Sequence, residues 1–79
     1  ALVDHQFDIV GPSQEGDGWS YLLVGRTSQR HGPFGSAAEG RCDLEARFQR
    51  WRERARARGG WVWRRTAHEW VVTVPAEVE

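Results

Sequence analysis

SAAEGRCDLEARFQRWRERARARGG, residues Ser36 to Gly60, contains a helix, both of its ends and two chemically different flanks. Ser36 and Glu39 form a capping box, in which hydroxyl and carboxylate accept backbone N–H groups that the first turn leaves without partners. Gly59-Gly60 supplies the stop. Between these ends Ala37, Gly40, Leu44, Phe48, Trp51 and Ala55 recur at steps of three and four, which at 3.6 residues per turn is one apolar stripe facing a core. Gly40 lowers helix propensity by about 1 kcal/mol relative to Ala, so a start at Asp43 is the alternative. Its place on the stripe, where a missing side chain lets the helix approach a sheet, favours the longer helix from Ala37 to Arg58. Arg47, Arg50, Arg54 and Arg58 follow the same rhythm along one flank with no acidic residue interleaved.

Strands are expected on both sides of this helix. In residues 3 to 10, VDHQFDIV, Val3, His5, Phe7 and Ile9 share one face, as in a half-buried strand. Residues 11 to 18, GPSQEGDG, read as a long polar turn. The continuous apolar run Tyr21 to Val24 within WSYLLVGR reads as a more fully covered strand, central to the sheet. A short third strand ends near Phe34, and Gly32-Pro33 suits it to an edge. After the helix, WVWRRTAHEWVVTV reads as a hairpin about Thr66-Ala67, with Arg64 facing Glu69, Trp63 facing Trp70 and Trp61 facing Val72. That register puts Trp61, Trp63, Trp70, Val72 and Val74 on the core face and Val62, Arg64, Glu69, Val71 and Thr73 on the solvated one. The terminal AEVE is expected to fray. The 79 residues are therefore expected to form one α+β domain, an antiparallel sheet in the order β-β-β-α-β-β with one long helix on one face.

The segment VGRTSQRHGPFGSAAE resembles the Gly-Arg turn and following helix of WGR domains, and the three-strands-then-helix layout of integrase arm-binding domains, over residues 19 to 58. Both families are associated with DNA. Val24 stands where the WGR motif has Trp and the turn after Arg26 is shorter, so no functional residue is carried over.

Composition narrows the function classes. One cysteine, Cys42, excludes an internal disulfide framework, and no CxxC or CxxH spacing points to zinc, so the chain is expected to be cytoplasmic. No apolar run approaches the roughly 20 residues of a membrane span, and no membrane partner is expected. Eleven acidic residues balance eleven basic ones, all Arg and concentrated between residues 41 and 65. Ser36, Cys42, Asp43, His5, His31 and His68 have no nucleophile-base or ligand spacing, so neither catalysis, a metal, a cofactor nor a small-molecule substrate is expected.

The candidate contacts are those of a binding module. Arg47, Arg50, Arg54 and Arg58 could meet an acidic surface or successive phosphates along about 16 Å of helix. Arg30 and His31 stand beside the Gly-Pro turn, and Trp19, after a Gly-rich turn, is the Trp expected to be partly exposed. Zero net charge offers little long-range attraction for nucleic acid, so a protein partner with an acidic surface is expected, with DNA or RNA as the alternative. The size suits a small accessory or inhibitor protein such as phages and mobile elements encode.

Overall fold

The computed structural model describes residues 1–76, so all but the first residue of the AEVE segment lies outside the described residues. The elements are β1 (Leu2–Glu15), β2 (Gly18–Val24), β3 (Ser28–Phe34), α1 (Ala37–Ala57), β4 (Trp61–Thr66) and β5 (Glu69–Pro75). The strands form one antiparallel sheet in the spatial order β3-β2-β1-β5-β4, with α1 against one face. The expected α+β class and element order are those observed, with β3 on an edge. The central strand is β1, not β2.

The helix begins and ends where its local chemistry says. Ser36 Oγ accepts from the Glu39 N–H at 3.1 Å, while the Glu39 carboxylate accepts from the Gly35 N–H at 2.6 Å. At the other end the Arg58 N–H donates to Ala55, and Gly59 takes φ +85°, a left-handed conformation that ends a helix at little cost when the residue is Gly. Gly40 is buried against Pro12 and Phe34, and a Cβ there would stand 3.2 Å from the proline ring. The bare position thus serves the close approach that its place on the stripe implies. Further along, Phe48 meets Trp70 edge-on at 5.0 Å, and Trp51 meets both Phe7 (4.8 Å) and Trp70 (5.3 Å). Ile9, Tyr21, Leu23, Val62 and Val74 complete the core.

Two further expectations are corrected. The segment after Val10 is not a long turn: β1 continues to Glu15, with Ser13 opposite Ser20 and Gln14 opposite Trp19. Gly11-Pro12 is absorbed as a bulge in which two residues oppose one, and only Gly16-Asp17 turns the chain. In the second hairpin the register is displaced by one. Trp61 faces Thr73, Val62 faces Val72, Trp63 faces Val71 and Arg64 faces Trp70, after an irregularity between Arg64 and Thr66. Because side chains alternate, a one-residue displacement exchanges the two faces of β4 while Trp70, Val72 and Val74 of β5 stay on the core side. Val62 is therefore core, 7% exposed, whereas Trp61 and Trp63 lie on the outer face, 47% and 39% exposed. There they cover Val71 and Thr73, both buried, and the Trp63 indole N–H donates to Thr73 Oγ1, which donates in turn to Asp4. Arg64, freed from Glu69, pairs with Glu45 of the helix and lies 4.2 Å over the Phe48 ring.

The strands are staggered. β2 pairs with β1 only from Asp8 onward, and β5 pairs with β1 only up to Asp8. Fourteen residues of β1 at roughly 3.3 Å each span about 46 Å, whereas the 21-residue helix at 1.5 Å each covers about 32 Å. One end of the helix-side face is left open.

Candidate functional groove

That open end is a groove of about 870 Å³ between the C-terminal half of α1, the start of β1 and the end of β5. Its floor is apolar: Val3, Phe7, Trp51, Val72 and Val74. Arg26, Arg54, Arg58 and His5 stand around it, and no carboxylate lines it among the described residues. Arg54 and Arg58 reach it because they flank Trp51 on the same side of the helix, three and seven residues on. Arg26 comes from the turn after β2, which ends where the groove begins. Neither Arg26 nor Arg54 has an ion-pair partner among the described residues.

The structure separates the remaining predicted residues. Arg47 leaves the row to join a cluster about the Tyr21 hydroxyl: Tyr21 donates to Asp43 Oδ2 at 2.6 Å and accepts from Arg47 Nε at 3.0 Å. Arg47 also pairs with Asp43, one turn earlier, at 3.5 Å. Burial raises the Tyr21 pKa, with the bond to Asp43 acting in the same direction. The Tyr21 hydrogen bond lowers that of Asp43, and burial opposes a rise at Arg47 that its contacts with Tyr21 and Asp43 nonetheless achieve. His31 packs 5.2 Å from the Tyr21 ring, its Nε2 buried without a hydrogen-bond partner among the described residues, and burial lowers its pKa. Arg30 lies in β3 rather than in a loop and pairs with Glu15. Trp19 is half-buried between Gln14 and Phe34 on the neighbouring strands. Arg50 is exposed on the helix. Of the seven expected contact residues, the groove brings together Arg54 and Arg58 only.

The sequence did not mark Arg26, His5 or Trp51 as contact residues, His5 having been weighed only for catalysis and Trp51 only for the core. Arg26 was visible only as the residue after a Gly at the end of an apolar strand. Cys42 is exposed, and among the described residues no three His, Cys, Asp or Glu side chains converge as a metal-binding group. No described helix is long and apolar enough to cross a membrane. No family model, curated protein or solved structure matches the chain.

Proposed function

We propose that this protein is a non-catalytic binding module, an accessory or inhibitor protein in type, whose groove takes a segment of a protein partner that presents carboxylates beside apolar side chains. The observation that supports this reading is the pairing of an apolar, aromatic floor with the cations Arg26 and Arg54, which have no ion-pair partner among the described residues. Aromatic and Arg side chains together at a desolvated surface are the composition of an interaction hot spot. A phosphate backbone is less well served. Tyr21 and Asp43 hold Arg47, Glu15 holds Arg30, and the opposite face of the sheet displays Asp4, Asp8 and Glu69.

The test is titration of the acetylated, amidated peptide (Glu-Val)3 into the protein, followed by Trp fluorescence, with a labelled DNA duplex titrated in parallel. The peptide is expected to bind, and Arg54→Ala to weaken it about tenfold, the scale of one hot-spot contact. Arg41→Ala, at the far end of the helix, leaves it unchanged. Peptide binding indifferent to Arg54→Ala refutes the groove reading. Duplex binding with log K falling about 0.9 per neutralised phosphate against log salt transfers the function to nucleic acid.

A further inference from the structure

The groove has a second property, which belongs to its backbone. From Leu2 to Phe7, β1 pairs with β5 on one side, but β2 ends at Val24 opposite Asp8, so the other side of β1 is an unpaired strand edge among the described residues. Which groups point to that edge follows from two hydrogen bonds. The Ile9 N–H donates to the His68 carbonyl, and the Ala1 carbonyl accepts from the Ala76 N–H, both at 2.8 Å and both on the β5 side. Odd-numbered residues in this stretch therefore turn their backbone groups toward β5, and Leu2, Asp4 and Gln6 turn theirs to the free edge.

This edge differs from the two outer ones. β3 carries Pro33, which has no N–H to offer, and β4 carries the irregularity at Arg64 to Thr66; both are common ways of guarding an edge. Leu2 to Phe7 contains neither proline nor bulge. It lies in line with β2, beneath Arg26 and beside the groove.

We propose, resting on the groove reading above, that the partner segment binds as an added antiparallel strand, hydrogen-bonded to Leu2, Asp4 and Gln6 and continuing the line of β2, with alternate carboxylates turned into the groove toward Arg26 and Arg54. Strand addition of this kind takes its affinity from main-chain hydrogen bonds and its specificity from alternate side chains. Charge decides the occupant. Side chains on one face of the added strand meet the groove cations, and those on the other lie beside Asp4 and Gln6, where a carboxylate would be repelled. Acidic residues therefore belong at every second position only. A second copy pairing through the same edge about its centre would set Asp4 opposite Asp4, which disfavours a homodimer there.

The experiment uses (Glu-Val)3 and two variants of it, one N-methylated on every Glu amide and one on every Val amide. In an antiparallel addition the residues bonded to Leu2, Asp4 and Gln6 carry their side chains on the outer face, as those three do, so these are the Val residues. N-methylation of the Val amides is expected to weaken binding at least about tenfold, and N-methylation of the Glu amides to leave it within about threefold, a difference set by lost hydrogen bonds. In hydrogen exchange, the Leu2, Asp4 and Gln6 amides should slow when the parent peptide saturates. Equal binding by all three peptides, with those amides unprotected, overturns strand addition and leaves side-chain docking in the groove intact. Failure of the parent peptide itself to bind overturns the groove reading and this inference with it. A peptide-free dimer with those three amides already protected assigns the edge to a second copy instead and refutes the proposal.

Discussion

Replacing Tyr21 with Phe removes one oxygen from the interior and tests the cluster that takes Arg47 out of the helical row. The ring is 1% exposed and stacks on Phe34 at 5.9 Å, so the substitution leaves packing in place and deletes two charge-assisted hydrogen bonds. Such bonds contribute roughly 1.5–3 kcal/mol each when fully buried. Here the Asp43 and Arg47 side chains are 32% and 22% exposed and keep their mutual contact at 3.5 Å, so water and that pair replace part of what is lost. The expected cost is about 2 kcal/mol at pH 7, rather than the ~3–6 of two buried bonds. Acid adds a second reading. The folded pKa of Asp43 lies below its unfolded value, first because of the Tyr21 hydrogen bond. Its contribution is therefore complete above the unfolded value of about 3.9 and is lost as pH falls through the lower, folded one. Tyr21→Phe moves the folded value toward the unfolded one, so this part of the acid loss shrinks in the variant. Urea melts at pH 7 and in steps from pH 6 to 2.5 measure both effects. A cost below about 0.5 kcal/mol at pH 7, with acid limbs of equal depth, would refute the reasoning, since that is the range of an ordinary surface substitution.

Three further outcomes follow from the packing. Val62→Lys should prevent folding by burying an unpaired charge, while Trp61→Lys, whose aliphatic stem can still lie over the sheet, should cost no more than about 1.5 kcal/mol; circular dichroism melts that reverse this order would restore the register in which the Trp residues face the core. Burial lowers the His31 pKa, so its contribution is complete above the unfolded value of about 6.5 and declines as pH falls through it, and His31→Gln should remove that part of the stability loss between pH 7 and 5 in thermal melts. Trp51→Ala should destabilise by about 3 kcal/mol, the low end for a Trp truncation because one side of the ring borders the groove, as read by denaturant midpoint at unchanged m-value.

What was legible in the sequence is what neighbours in the chain decide. Ser36, Glu39 and Gly59 act within one turn of themselves, and the stripe from Gly40 to Ala55 repeats at the helix's own period, so the helix and the face it buries could be read without a partner. The second hairpin shows where this ends. Arg64 opposite Glu69 and Trp63 opposite Trp70 are sensible pairs, and nothing local rejects them. The observed register instead gives Arg64 a carboxylate at Glu45 and a ring at Phe48, both contributed by the helix, and gives the Trp63 indole a hydroxyl at Thr73. Gly11-Pro12 misled for the same reason: its local chemistry allows a turn or a bulge, and pairing with β2 on either side selects the bulge. The Arg row was divided by a residue 26 positions away from Arg47, since Asp43 alone lies at ordinary helical spacing and the buried Tyr21 hydroxyl is what fixes the pair. The groove is one step further removed. No residue in it announces a site; it exists because β1 outruns both the helix above it and the strand beside it, so Arg54 becomes a rim cation and Leu2 to Phe7 an edge unpaired among the described residues only after the lengths of three elements have been set against one another.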